Sequence, residues 1–367
     1  MGKRLTKARN SNFELLRIIS MLAIVLSHIS GQAFDIGEVP VTGVIFMNYF
    51  GSASRIAVNL FLMIGVWFMA DSDFKAKRFF KLYGCLWFYS VVITLILLVC
   101  GCHISLKDLG SSFFPFFRRR MWFVPQYLAL MLISPFLKFY VDRIGRKGLQ
   151  RTVIAGFVLI SVICSIRSFD DRWVAAFTWF AYIYLVIAYY KRYGFRIRIK
   201  PWVCLAAGAA IYLALASGRL ICSLNDGQFW TMAGKIFKQY TGDYKSVPNF
   251  ICSMLIFVFF SKLDIGSNRV INTISAHTLD VYMIHQQDAF IPVIWVSVFR
   301  TTQWQSSPYF ILLYLGTAAA VYAGASVIGF LRSKLLEPLW VNSKPFAWLC
   351  AKLDGFYRFA GSRAGRD

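Results

Sequence analysis

The chain is short of charge. Of its 367 residues only 16% are Asp, Glu, Lys or Arg, against ~25% in a typical soluble domain, too few to coat a soluble surface of this size. Carboxylates are the scarcest, with 17 Asp and Glu against 40 Lys and Arg. Several enzyme signatures are also missing. There is no Walker A loop, no GxSxG elbow and no HExxH, which argues against an ATP-driven pump, a serine hydrolase of the elbow type and a zincin. The eight cysteines show neither zinc-ribbon nor redox spacing. Most fall inside apolar runs and read as small core hydrophobes; no metal site is expected. Cys102 and Cys222, in two predicted outer loops, are the one pair that a disulfide would join. No inverted repeat, helical repeat or low-complexity linker stands out.

What the chain has instead is apolar surface. Hydrophobic residues make up 58% and aromatics 17%, with 35 Phe, 18 Tyr and 11 Trp. Such an excess suits lipid-facing surfaces and interfacial belts. A membrane helix needs ~20 mostly apolar residues. On that basis spans are predicted at about 12–31, 44–70, 82–101, 121–140, 150–167, 173–190, 201–217, 247–263, 278–299 and 308–331. The expected fold is therefore all-α, a polytopic integral membrane bundle of about ten transmembrane helices. One domain is expected over 1–367, with a helical core at about 12–340 and short basic tails; the longest loop, 218–246, is too short for another domain. The basic start resembles a signal peptide, but Glu14, Arg17 and His28 interrupt the apolar stretch and no small-x-small site follows. A retained first helix is the reading.

In a soluble protein a net charge of +23 would point to nucleic acid. In a membrane protein the placement of Lys and Arg matters more, and no nucleic-acid partner is expected. With a cytoplasmic N-terminus, 27 of the 40 Lys and Arg fall in inside segments and 11 in outside loops, as the positive-inside rule requires. An even number of spans puts both termini in the cytoplasm of a cell whose plasma membrane holds the chain. The exception is Arg118, Arg119 and Arg120, which fall outside. Either they contact an anionic acceptor or they anchor to headgroups beside Trp122.

Ionisable groups at lipid depth are costly and normally face a bundle interior or a watery cavity. The first span carries Glu14, Arg17 and His28. Arg17 and His28 are eleven residues apart, which puts them on one helical face and ~16 Å apart along the axis. Arg17 either snorkels to the interface or faces a cavity; His28 either joins helices or does chemistry. Glu14 can pair with Arg17. In the ninth span Tyr282, His285 and Asp288 recur every three residues, a base beside a carboxylate orienter, a polar packing stripe or an ion pathway. Arg55 and Asn59 stand on the second span, and Lys75, Lys77, Arg78 and Lys81 form a basic cluster. That cluster reads as a topology signal or as a phosphate site.

Taken in order, these segments resemble the acyltransferase type 3 family of bacterial membrane proteins, which O-acylate surface sugars and related acceptors. The most specific part is Phe13-Glu14-Leu15-Leu16-Arg17 followed, after ten residues, by His28. Supporting pieces are Asn59-Leu60-Phe61-Leu62 with Gly65, Arg78-Phe79-Phe80-Lys81, Trp122-Phe123 with Tyr127-Leu128, Ser134-Pro135-Phe136-Leu137, and Tyr282-Met283-Ile284-His285. The resemblance spans about residues 12–340. Ile64, Lys81 and Asp280 depart from it, standing where Ser, Arg and a small residue are common.

The resemblance implies acyl-CoA, acetyl-CoA above all, as a cytoplasmic donor substrate, no resident cofactor, and a hydroxyl acceptor on a saccharide or glycolipid at the bilayer. It implies His28 as general base or acyl relay, Arg17 as a donor-holding or charge-stabilising group, and His285 as a second site residue. Arg78, Lys81 and Glu14 would belong to the donor site. Arg55, Asn59, Arg118, Arg119, Arg120, Trp122 and Tyr282 would belong to the acceptor site. The competing class is a transporter or flippase of a sugar or acyl carrier; an intramembrane Arg–His pair joined to a basic cluster suits the enzyme better.

Overall fold

A computed structural model describes residues 10–117, 121–166, 176–195 and 199–363. The chain is 82% helical with no strand among the described residues, so the all-α expectation holds. In order the helices are α1 (Asn12–Gln32), α2 (Val41–Ser52), α3 (Ser54–Met69), α4 (Ala76–Val99), α5 (Leu106–Ser112) and α6 (Phe123–Gly156), which runs through a π-helical turn into α7 (Ile163–Ser165). Then come α8 (Ala176–Tyr193), α9 (Pro201–Ser223), α10 (Gln228–Gly242), α11 (Val247–Lys262), α12 (Arg269–Ser275), α13 (Thr278–His285) and α14 (Thr301–Trp304). α15 (Phe310–Leu331) continues through a π-helical turn at Arg332–Leu336 into α16 (Glu337–Val341), and α17 (Lys344–Arg363) follows.

Among the described residues six helices are long and apolar enough to cross a membrane, or seven if the pair α10 and α11, bent by 41°, is one span. The expected count of about ten is not reached on this measure, and the differences have local causes. Phe123–Ser165 counts once at 43 residues, yet Gly145, at φ 68°, breaks it where two spans were expected. The span expected at 278–299 stops as an α-helix at His285 and resumes as a π-helix at Val293–Val298, with Gln287 Oε1 accepting from the Phe290 amide at 2.8 Å between them. α8 is rich in Tyr and ends in Lys191-Arg192, which dilutes its hydropathy.

α1 sits in the middle of the bundle. Its Leu16, Met21, Val25 and Ile29 are buried to 2% exposure or less, while Ile19 is 47% exposed, so one stripe packs and another faces lipid. Packing between helices in lipid is driven by close van der Waals contact and polar bonds. Asn12 donates to the Phe260 carbonyl at 2.7 Å, and Phe13 stacks on Phe257 with ring centroids 5.2 Å apart. Asn59 belongs to the same class of contact. Its amide donates to the Tyr244 carbonyl at 2.8 Å and to Ser253 Oγ at 3.3 Å, and its Oδ1 accepts from Trp179 Nε1 at 2.9 Å. With its amide and oxygen used between helices and the residue fully buried, Asn59 joins α3 to α8 and α11.

The segments expected inside the cell meet at one end of the bundle. Lys138 pairs with Asp73 at 2.6 Å and Lys191 with Asp71 at 2.5 Å. Arg192 pairs with Asp142. Asn10 donates to Asp264 at 3.0 Å, and the Ala76 amide donates to Asp354 at 2.8 Å. Asp73 is held below its ordinary pKa, chiefly by the hydrogen bond from Lys138 and then by that cation's charge. Two predicted irregular stretches are helical. α10 lies inside the loop expected at 218–246, and α17 lies in the expected tail, where Tyr357 donates to the Leu132 carbonyl at 2.6 Å. All eight cysteines are free thiols, so the Cys102–Cys222 disulfide does not form.

Candidate active site

α1 and α13 meet through polar side chains. His28 Nδ1 lies 2.9 Å from His285 Nε2. One turn further along α1, the Gln32 and Gln286 amides exchange hydrogen bonds at 3.3 Å, and Trp295 Nε1 also donates to Gln32 at 3.3 Å. These contacts fix the register of the two helices. His285 is fully buried, and its Nδ1 lies 2.6 Å from the Val281 carbonyl oxygen.

The proton positions follow from the partners. A carbonyl oxygen can only accept, so His285 Nδ1 carries its hydrogen and donates to Val281. In the neutral ring that leaves the lone pair on His285 Nε2, which therefore accepts from His28 Nδ1–H. His28 in turn holds its lone pair on Nε2. The arrangement is a base oriented by a second ring, itself oriented by backbone. One of the three readings open in the sequence made Asp288 the orienter of His285; α13 ends before Asp288, and the partner of His285 Nδ1 is the Val281 carbonyl.

His28 faces a cavity of about 90 Å³ whose walls include Ser54, Arg55, Trp122, Phe123 and Tyr282. At ~30 Å³ per water that space holds roughly three waters or a small acyl group. The Tyr282 hydroxyl is hydrogen-bonded to the Phe123 backbone, and Trp122 stacks on Tyr244 with centroids 5.5 Å apart. Thus Arg55, Trp122 and Tyr282, expected at the acceptor site, converge on His28. Arg118, Arg119 and Arg120 lie outside the described residues.

Arg17 stands elsewhere. Its charge and that of Arg78 both act on the Tyr127 hydroxyl, and Arg17 also acts on Tyr322. Arg17 is not among the residues that line the His28 cavity, and Arg78 donates to Ser72 Oγ at 3.5 Å. Gly65 makes room for Tyr127: a Cβ there would lie 2.7 Å from the Tyr127 hydroxyl oxygen. Glu14 is buried in the first turn of α1. Lys81 faces another way, with its Nζ 2.6 Å from Glu337.

A family model described as an acyltransferase domain, that of the type 3 acyltransferases, matches residues 10–328. The chain belongs to the acyltransferase type 3 family. It is thus a membrane acyltransferase, with Arg17, His28, Arg55, Arg78 and His285 all inside the matched region. No curated protein and no solved structure matches the chain. In this acyltransferase the matched helices α1, α3 and α13 bring the histidine pair and Arg55 to one cavity.

Sequence reasoning missed the network beneath α13. Asp280 Oδ1 accepts from Tyr89 at 2.8 Å and from Arg332 Nε at 3.1 Å, and its Oδ2 lies 3.2 Å from His277 Nδ1. Arg332 Nη1 also donates to Glu337 at 2.8 Å. α15 comes close enough for this because residue 329 is glycine, where a Cβ would lie 2.7 Å from Asp280. The signal was present: Asp280 stood out as a departure from the family pattern, and Arg332 was counted only as part of a basic tail.

Proposed function

We propose that this acyltransferase moves an acyl group, most simply acetyl, from cytoplasmic acyl-CoA to a hydroxyl of a cell-surface or lipid-linked saccharide. The observation that carries the reading is the 2.9 Å contact between His28 Nδ1 and His285 Nε2. It fixes the tautomer that makes His28 Nε2 a base. The acceptor O–H loses its proton to Nε2 while its oxygen bonds to the thioester carbonyl carbon. The tetrahedral oxyanion collapses, the C–S bond breaks, and the leaving thiolate takes the proton from the His28 imidazolium. The ester and the free thiol are the products.

His285 supports this by accepting from His28 Nδ1–H throughout, which steadies the imidazolium as it forms. Arg55 shares the His28 cavity and is a cation available to the oxyanion. Arg17 and Arg78 hold the donor, and the confined space beside His28 favours a short acyl chain. Placement in the cell membrane with both termini cytoplasmic rests on the 27 of 40 Lys and Arg that fall in the corresponding segments.

The test is the purified protein in proteoliposomes with acetyl-CoA labelled in the acetyl group, together with mass spectrometry of surface glycans from cells with and without the gene. Label should reach a saccharide hydroxyl, and the glycans should lose an acetyl mass when the protein is absent. Unchanged glycans together with intact acetyl-CoA would defeat the proposal.

A further inference from the structure

At the end of the bundle where α1 begins, Lys81 of α4, Arg269 and Asn272 of α12, and Arg332, Lys334 and Glu337 beyond α15 surround a cleft of about 710 Å³. That is within the ~300–1,000 Å³ usual for small-molecule sites. Clustered Lys and Arg at a membrane surface are ordinarily no more than a topology signal. Three features set this cluster apart. It is concave. Its acidic member, Glu337, is buried and already engaged by Lys81 Nζ at 2.6 Å and Arg332 Nη1 at 2.8 Å. Among the described residues no carboxylate pairs with Arg269 or Lys334, so two cations of the cleft have no internal counter-charge.

The third feature is a neutral donor. Ser11 Oγ accepts from the Asn268 amide at 2.8 Å, and its own hydrogen goes to Asn272 Oδ1 at 2.8 Å. The Asn272 carbonyl is thereby committed and its NH₂ is the group left to donate. An ammonium, a guanidinium and an amide on one concave wall match the oxygens of a phosphate or diphosphate.

We infer that this cleft binds the phosphate-bearing nucleotide end of the acyl donor, with Arg269, Lys334 and Asn272 as its contacts. The inference rests on the reading of acyl-CoA as donor and deepens it, because Arg269, Asn272 and Lys334 are not among the site residues expected from the sequence. The place fits the chemistry. The cleft opens at the end of the bundle nearer Arg17, and His28 lies ~16 Å further along α1. A donor whose reactive thioester is carried on a long flexible arm needs its phosphates held at such a remove. On α4 the basic turn puts Lys81 on the cleft. Phospholipid headgroups offer the same phosphate chemistry, so the test must separate the two.

The experiment is calorimetric titration of adenosine 3′,5′-bisphosphate into the protein in nanodiscs of zwitterionic lipid, repeated in nanodiscs containing phosphatidylglycerol. At about 0.15 M salt, where the screening length is about 8 Å, remote charges contribute little. Arg269→Gln with Lys334→Gln should raise Kd at least tenfold. Lys147→Gln with Arg151→Gln, two exposed cations of another basic segment, should leave it unchanged, and His28→Ala should bind as the wild type does. The inference is overturned by no binding, by equal binding in the first double variant, or by competition from phosphatidylglycerol that abolishes nucleotide binding. An unchanged KM for acyl-CoA in Arg269→Gln with Lys334→Gln also overturns it while leaving the acyltransferase reading intact. Persistence of transfer in His28→Ala defeats the assigned chemistry without touching the titration.

Discussion

His28 and His285 are 257 residues apart in sequence and 2.9 Å apart between ring nitrogens. The contact makes one ring the orienter of the other, and the Val281 carbonyl, 2.6 Å from His285 Nδ1, decides which nitrogen carries which proton. His285→Ala should lower kcat by roughly 10²–10⁴, the range general base catalysis contributes, with a smaller change in the KM for the donor. His285→Gln retains a side-chain acceptor and should recover part of the loss. Equal activity in His285→Ala and wild type would make the pair a packing contact.

The Asp280–Arg332 pair is almost wholly buried, with both side chains 6% exposed. Removing one partner strands a charge, which costs ~3–5 kcal/mol. Arg332→Ala should therefore lower the melting temperature in detergent sharply, and Asp280→Asn with Arg332→Met should restore much of it. A melting temperature unaffected by Arg332→Ala would show that the network does not hold α13 in place.

Much of this was legible in the sequence, for reasons that can be named. Lipid demands apolar helices, so the spans and the odd charges within them stood out, and the eleven-residue spacing of Arg17 and His28 is simple helical geometry. The partners of those charges were not legible, because they come from far along the chain. The partner of His285 Nδ1 is the Val281 carbonyl, and α13 stops at His285, short of Asp288. Asn59, expected at the acceptor site, finds its partners in Trp179, Tyr244 and Ser253, all more than a hundred residues away. α10 and α17 were hidden because amphipathic surface helices carry too much charge to read as spans.

Arg55 lines the His28 cavity and Arg17 is not among its lining residues, so their variants should differ. Arg17→Ala should raise the donor KM as well as lower kcat, and Arg17→Lys should rescue partly, since it keeps the charge and loses the planar fork. Arg55→Ala should act mainly on kcat and on acceptor KM. Steady-state kinetics with each substrate varied in turn checks this; a donor KM that rises only with Arg55→Ala would reverse the assignment.

The ion pairs of Asp71, Asp73 and Asp142 gather three basic segments at one end, and that end should face the cytoplasm. With Cys100, Cys102 and Cys350 replaced by Ser, a cysteine at Lys147 should resist an impermeant maleimide in intact cells, and one at Asn225 should react. Labelling at 147 alone would invert the orientation.

The proposal that His28 is the base is tested most directly by acyl transfer with His28→Ala in membranes holding wild-type amounts of folded protein. Transfer should fall below about one hundredth of wild type, with adenosine 3′,5′-bisphosphate binding unchanged. Near-normal transfer under those conditions would contradict it and leave His28 as a residue that joins α1 to α13.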